Sequence, residues 1–173
     1  MNATNHDSMP SRRSNVGRRI ALLDMLTGKT QQTQPDASEL YASFFTLDET
    51  DRYSITNSIA SVGGELAKGL LIRILDHDGS PLVRHEAAFA LGCVGDDSCR
   101  GPLKRTLIDD HSFLVRHEAA MALGELGTFD DIAALERGLK DESSEVAISC
   151  EVALNRILER VEPNIRGLPP RCT

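Results

Sequence analysis

The sequence predicts an all-α fold, an α-solenoid of about four two-helix repeats. One observation is a duplicated segment, in which VRHEAAFALGCVG from Val83 returns thirty-two residues later as VRHEAAMALGELG from Val115. Another is the composition of the 173-residue chain, because 40% of its residues are hydrophobic, yet only 4% are aromatic and none is Trp. Alanine and leucine must therefore fill the core, which favours small, closely spaced helices over a sheet.

The first 36 residues are predicted to form a basic, mostly disordered tail. Residues 1–34 carry five Lys/Arg against two Asp/Glu. Within this tail, residues 16–26 fit a possible short amphipathic helix, and residues 27–36, which include a Gly and a Pro, are typical of a linker. At the other end, three prolines within residues 161–173 predict a flexible C-terminal tail.

Residues 37–160 are predicted to form the repeat domain. Arg52, Arg84 and Arg116 align the second helices of three repeats, and the same small, apolar frame continues from Val146. Each frame follows another apolar segment of helical period. The sequence therefore predicts four first helices, at residues 38–47, 65–75, 100–108 and 132–139.

Capping residues support these boundaries. Ser80 and Pro81 suit the N-cap and first turn of one second helix, and Ser112 is the corresponding cap one repeat later. Gly95 and Gly127 lie where these two helices are predicted to end. We expect glycine at these points because it lets the chain turn with least strain.

Charge and cysteine content exclude some classes of function. The formal net charge is -7, and residues 35–173 carry fourteen Lys/Arg against twenty-four Asp/Glu, a net charge near -10. Such a surface argues against binding nucleic acid and favours a basic partner or a metal ion. The four cysteines lack a C-x-x-C spacing, so we expect free thiols, with Cys93 and Cys150 packed as small apolar groups. Free thiols, no secretory signal and no run of eighteen apolar residues predict a cytoplasmic protein without a membrane span.

Two His-Glu pairs are the candidate functional site. His85 and Glu86 lie in one copy of the duplicated segment, and His117 and Glu118 lie at the same point of the other. Both pairs fall beside the apolar stripe of their helices, on the face that a solenoid turns towards its concave side, where such proteins commonly bind. The alternative is that duplication copied two exposed polar residues that have no chemistry.

The two flanking repeats argue against that alternative. They keep the apolar frame but carry Tyr53-Ser54 and Ile148-Ser149 at the aligned positions. Packing therefore does not demand a His-Glu pair, which occurs in the two central, adjacent repeats alone.

The expected geometry is that of half a metal site. Stacked helices lie about 8–10 Å apart, so the two imidazoles can converge on one metal ion. Consecutive residues on a helix differ by about 100° in direction, so Glu86 and Glu118 are expected to point away from that ion. Two histidines are too few for a closed zinc site. Two such faces opposed across a two-fold axis would offer four His and four Glu. A metal site with nitrogen and carboxylate ligands and with open coordination positions is typical of oxygen-activating non-haem iron.

At these residues the chain resembles deoxyhypusine hydroxylase, a family of HEAT-repeat di-iron monooxygenases. The V-R-H-E-A-x-x-A-L-G frame, the interval from His85 to His117 and the segment EVAISCEVAL are similar to those of the family, and the resemblance covers residues 52–159. The family has two halves of four repeats each, whereas this chain corresponds to a single half-length copy.

The resemblance implies an iron-dependent hydroxylase that uses O2 as co-substrate. It implies that His85 and His117 are iron ligands, that Glu86 reaches the iron held by the opposing half, and that Glu118 lies at the substrate or beside the metal. A homodimer would then hold two iron ions, one per chain. The substrate expected from the family is a lysine-derived, deoxyhypusine-like side chain on a basic protein, or a related polyamine-like cation.

Two other functions stay open. One is a non-catalytic HEAT-repeat scaffold that binds a protein through its concave face, and the other is a protein similar to HEAT-repeat bilin lyases, which do not call for paired His-Glu. His77 and His111, in the loops before the candidate helices, are conceivable ligands, although loop capping is favoured. Arg84 and Arg116 either orient a carboxylate or form surface ion pairs.

Overall fold

The predicted all-α solenoid is confirmed. A computed structural model gives the structure of residues 12–29 and 37–165, with side chains for residues 17–29 and 37–160. These parts of the chain hold a series of helices and no strand: α1 (Arg12–Thr27), α2 (Ala37–Phe45), α3 (Glu49–Val62), α4 (Gly64–His77), α5 (Pro81–Val94), α6 (Asp97–Asp109), α7 (Phe113–Leu126), a 3-10 turn (Phe129–Asp131), α8 (Ile132–Gly138) and α9 (Ser144–Ile165).

Three of the predicted repeats are packed helix pairs, α4–α5, α6–α7 and α8–α9. In the first repeat, α2 and α3 are consecutive helices, but α2 packs on α1 and α4, and α3 packs on α1, α4 and α5. The second helices stack in one row, in which α5 packs between α3 and α7, and α7 packs against α9. Their buried side chains are small or branched and recur every three or four residues, as in Ala87, Leu91, Ala119 and Leu123. The candidate His-Glu helices α5 and α7 are thus direct neighbours.

Glycines bring these second helices close together. A Cβ on Gly92 would lie 3.0 Å from the Cβ of Ala122, and a Cβ on Gly124 would lie 3.1 Å from that of Ala153. Both contacts are tighter than side chains ordinarily make, so a side chain at either position would push α5 from α7 or α7 from α9.

The structure corrects the reason for the terminal glycines. Gly95 and Gly127 do end α5 and α7, but their φ angles of -74° and -66° are open to any residue. Glycine is needed there because a Cβ at Gly95 would clash with the carbonyl oxygen of Leu91, and one at Gly127 with that of Leu123. At the other ends, Ser80 accepts a hydrogen bond from the Val83 N–H, whereas Ser112 is an N-cap without a side-chain bond.

An ion-pair series ties each repeat to the next. In each case an arginine near the start of a second helix donates two hydrogen bonds of 2.7–3.1 Å to an aspartate in the loop of the following repeat. The same guanidinium group also donates a hydrogen bond to a backbone carbonyl oxygen. Each aspartate in turn accepts from the N–H of a serine two residues on. The pairs are Arg52–Asp78, Arg84–Asp110 and Arg116–Asp141. These arginines and loop aspartates therefore have a structural role.

The ends of the fold differ from the predicted tails. Helix α1 packs on α2 and α3, buries Leu22 and Leu26, and pairs Arg19 with Asp51 at 3.1 Å. Part of the basic N-terminal segment thus extends the core. Helix α9 continues to Ile165, past the predicted domain end at 160. The tails predicted at 1–11 and 166–173 and most of the linker, 30–36, lie outside the described residues.

Of the cysteines that the structure describes, Cys99 and Cys150 are buried and Cys93 is exposed, and all three are free thiols. The packing expected for Cys150 is confirmed, and that expected for Cys93 is wrong because its side chain is exposed to solvent. Burial raises the pKa of the Cys150 thiol to about 11. Across residues 12–29 and 37–165, no helix has the length and apolar character needed to cross a bilayer.

Candidate metal centre

The candidate residues belong to a polar ladder that runs along the stacked second helices. The residue at the His position of one repeat meets the residue at the Glu position of the next repeat. We call this series the inter-repeat ladder. Its pairs are His85–Glu118 and His117–Ser149, which are in contact, and Tyr53–Glu86, which interact electrostatically. The first and fourth repeats, which lack a His-Glu pair, thus supply partners for the pairs of the central repeats.

The central contact joins His85 to Glu118. His85 Nε2 lies 3.3 Å from Glu118 Oε2, and the two side chains are 33% and 13% exposed. The hydrogen bond to Glu118 raises the pKa of His85 against the opposing effect of burial, and the charges of Glu118 and Glu86 raise it further. The expectation that Glu118 points away from the histidines is wrong, because the 100° offset applies within α7, whereas His85 belongs to α5.

Glu86 is held by the first repeat. It is 6% exposed, and its Oε1 accepts a hydrogen bond of 2.7 Å from Asn57 Nδ2. The charge of Glu86 raises the pKa of Tyr53, helped by burial and by hydrogen bonding between the two side chains. Sequence reasoning missed Asn57 and treated Tyr53 as part of a repeat without a site.

His117 is held by the fourth repeat. Its Nδ1 lies 2.6 Å from the hydroxyl oxygen of Ser149, which is buried. Sequence reasoning used Ser149 only to show that packing does not need a glutamate there. The sequence did contain a signal that could have identified Ser149 as a partner of His117. In all three pairs of the ladder, the two partners are separated along the chain by one repeat length plus one residue.

The sequence pattern of the family described as HEAT repeats matches residues 69–155, half of the chain. The chain belongs to the HEAT-repeat family. The matched segment contains both His-Glu pairs of this HEAT-repeat protein, in helices α5 and α7.

A solved structure of human deoxyhypusine hydroxylase in complex with glycerol is similar to this HEAT-repeat chain. The two are 31% identical, with a TM-score of 0.61, over 75% of this chain and 45% of the human chain. This chain therefore spans less than half the length of the human enzyme. Among curated proteins, none is significantly similar to the sequence. The structural neighbour supports the resemblance stated from the sequence.

The donor atoms of this HEAT-repeat protein fit part of a metal site. Two ligands at about 2.0–2.1 Å from one metal ion, seen at ordinary coordination angles, lie about 3 Å apart. The 3.3 Å from His85 Nε2 to Glu118 Oε2 is close to that spacing. No group of three or more potential ligands comes together within the residues that the structure describes. One chain thus brings together two potential ligands, and a metal site here would need others from side-chain rotation or from a second chain.

Apolar side chains surround the ladder on the same helix faces. Five of them stand exposed to solvent, in α5, α7 and α9: Leu82, Phe89, Leu114, Ile148 and Val152. A cleft of about 420 Å³ adjoins Glu118 and is lined by Phe89, Met121 and Arg156 among others. Exposed apolar side chains that rim a polar site are typical of a surface that another molecule covers.

The two histidines before the candidate helices lie elsewhere, His77 as the last residue of α4 and His111 in the loop before α7. His77 and His111 face a separate cleft of about 400 Å³, together with Asp76 and Asp109. The structure does not bring them to the inter-repeat ladder, and the capping role expected for this loop region is taken by the aspartates of the ion-pair series.

Proposed function

We propose that this chain is an iron-dependent oxygenase of the deoxyhypusine-hydroxylase type, with a site completed by a second copy of the chain. The observation that carries the proposal is the His85–Glu118 contact of 3.3 Å across neighbouring repeats. An imidazole nitrogen and a carboxylate oxygen are the two donor types that oxygen-activating non-haem iron uses, so their proximity supports the proposal. The 31% identity to the human enzyme supports the same chemistry.

A second copy is part of the proposal because one chain supplies too few ligands. The chain covers 45% of the human enzyme. In the proposed dimer, a second copy would take the place of the part of the human enzyme that this chain does not cover. A two-fold dimer needs one self-complementary surface. The apolar side chains around the ladder, such as Phe89 and Leu114, offer that surface, and their burial in a dimer would be favourable.

In the proposed dimer, His85, His117, Glu86 and Glu118 bind two iron ions, one per chain. Bound iron would supply the activation of O2 for hydroxylation. The chain's own task is to deliver unprotonated ligands, because a metal ion competes with protons for the same atoms. A proton on His85 Nε2, which lies beside Glu118 Oε2, would have to leave before that nitrogen could bind a metal ion.

The proposed substrate is a deoxyhypusine-like or other cationic, lysine-derived side chain on a basic protein. The formal net charge of -7 favours the approach of such a partner. Glu118, a carboxylate of the ladder beside the 420 Å³ cleft, is the residue proposed to meet the cation. The same charge disfavours nucleic acid as a partner.

Iron stoichiometry tests the proposal. The protein is purified without oxygen, reconstituted with Fe²⁺, freed of excess metal and analysed for iron per chain. We expect about one iron per chain for the wild type and a large loss in His85→Ala, because the N/O donor set is then incomplete. His77→Ala is the matched control, since it removes a histidine from the separate loop cleft. Equal iron content in both variants, or none in the wild type, contradicts the proposal.

A second candidate function is a non-catalytic scaffold that binds a protein through the same face. The exposed side chains of Phe89, Ile148 and Val152 favour it, because such residues suit any apolar partner. This function predicts partner binding that needs no metal ion and survives His117→Ala. Loss of partner binding on addition of a chelator argues against it.

A further inference from the structure

The hydrogen bonds of Ser149 determine which nitrogen of His117 carries a proton. Ser149 is 3% exposed and lies at the Glu position of the fourth repeat. Its hydroxyl oxygen makes two short contacts, one of 2.6 Å with the carbonyl oxygen of Glu145 and one of 2.6 Å with His117 Nδ1. Both contacts are well within hydrogen-bond distance, so each requires a proton between its two atoms.

One hydroxyl proton cannot serve both contacts. The carbonyl oxygen of Glu145 can only accept, so the Ser149 hydroxyl must donate to it. The Ser149 oxygen is then left as an acceptor towards His117, and the proton in that contact must come from Nδ1. A neutral imidazole with its proton on Nδ1 has its free lone pair on Nε2.

We propose that Ser149 is a positioning residue, which holds His117 in the Nδ1–H tautomer and so keeps Nε2 available as a metal ligand. The second half of this inference rests on the proposed function, whereas the tautomer does not. Metal-binding histidines commonly donate their other ring N–H to a neighbouring oxygen, which fixes tautomer and ring orientation. Ser149 supplies such an oxygen from the fourth repeat.

The two candidate histidines are then unlike each other, although their sequence motifs are the same. His85 Nε2 lies 3.3 Å from the Glu118 carboxylate, whose negative charge favours a proton on that nitrogen. His117 carries its proton on Nδ1. Within one chain, the lone pair on Nε2 of His117 is thus available to a metal ion.

Nitrogen NMR of the metal-free, full-length protein tests the tautomer directly. The protein is labelled with ¹⁵N-histidine, and long-range proton–nitrogen spectra are recorded near pH 8.5, where an ordinary imidazole is neutral. The chain has five histidines, so the His117 and His85 signals are assigned by His→Ala variants. We expect a protonated Nδ1 for His117 and a protonated Nε2 for His85. A His117 ring protonated on Nε2 in the wild type overturns the inference.

Two substitutions separate the hydroxyl from mere packing. Ser149→Ala should shift His117 towards the Nε2–H form, and Ser149→Thr, which keeps the hydroxyl, should retain Nδ1–H. The His85 signals should be unchanged in both variants. A Ser149→Ala spectrum that still shows Nδ1–H overturns the inference, and if that variant does not fold, the wild-type and Ser149→Thr spectra decide.

The Fe²⁺ affinity of the same proteins tests the consequence for metal binding. We expect Ser149→Ala to weaken anaerobic Fe²⁺ binding by about 10–100-fold, the usual effect of losing such a partner, and Ser149→Thr to restore it. Equal affinity in wild type and Ser149→Ala overturns the metal half of the inference. If no protein binds Fe²⁺ but the NMR result stands, the proposed function fails and the tautomer assignment survives.

Discussion

Removal of Arg116 is expected to destabilise the fold far more than removal of an exposed arginine. Arg116 is 7% exposed and makes two bonds to Asp141, of 2.7 and 2.8 Å, and one of 2.8 Å to the carbonyl oxygen of Asp110. Arg116→Leu leaves a nearly buried carboxylate without its counter-charge and a carbonyl without its donor. Breaking a buried pair from one side costs about 3–5 kcal/mol, so we expect a loss of about 3–4 kcal/mol, since the leucine retains some apolar packing.

The free energy of unfolding, measured by urea denaturation at neutral pH, checks this value. The matched control is Arg105→Leu, because Arg105 is 58% exposed and lies 3.4 Å from Asp76. An exposed pair is worth about 0–1 kcal/mol, so the control should lose no more than that. Similar losses in the two variants would refute the reasoning that burial gives the ion-pair series its energy.

Two further predictions concern pH and thiol chemistry. Hydrogen bonds from Arg116 lower the pKa of Asp141 in the folded protein. The ionised carboxylate therefore stabilises the folded state at pH values above its unfolded pKa of about 3.9. This stabilisation is lost as the pH falls through the lower pKa that Asp141 has in the folded state. The stability difference between wild type and Arg116→Leu should therefore be largest above about pH 5 and shrink in urea titrations below about pH 4. Iodoacetamide at neutral pH should alkylate the exposed Cys93 in the native protein. Cys150 is buried and its pKa is raised to about 11, so it should remain unmodified until urea unfolds the chain. Peptide mapping by mass spectrometry distinguishes the two, and rapid native labelling of Cys150 would contradict its burial.

The sequence was sufficient to predict the repeat architecture. A frame that recurs every thirty-one or thirty-two residues places the second helices, and the apolar segments between them place the first helices. The structure has both sets within a few residues of the predicted bounds. This works because each repeat is a local unit whose apolar period is visible without tertiary contacts.

The reason for the terminal glycines could not be predicted from the sequence. A glycine at a helix end usually indicates a left-handed backbone, but Gly95 has a φ of -74° and is needed because Leu91 O, Leu126 and Cys99 crowd the place of its Cβ. Two of those neighbours come from other helices. The clash with Leu91 O arises within α5, from the way the chain leaves the helix, and the crowding by Leu126 and Cys99 depends on the separation of the helices. No local sequence pattern reveals either.

The candidate residues could be predicted, but not their partners. The sequence identifies His85 and Glu118 as members of equivalent pairs, and the reasoning from single helices separated them. Their contact depends on the offset between stacked helices, by which a His position meets the Glu position of the next repeat. The same offset brings Ser149 to His117, and Asn57, one helical turn after Tyr53, reaches Glu86. The flanking repeats therefore contribute to the site in a way that alignment alone conceals.

Native mass spectrometry of the anaerobically reconstituted protein tests the central claim most directly, because one spectrum counts chains and iron ions together. The account predicts a species of two chains with two iron ions, and its conversion to an iron-free species in His85→Ala but not in His77→Ala. A single chain without iron would contradict it. So would a wild-type dimer that binds no iron, since the apolar face would then serve an interface without the metal site.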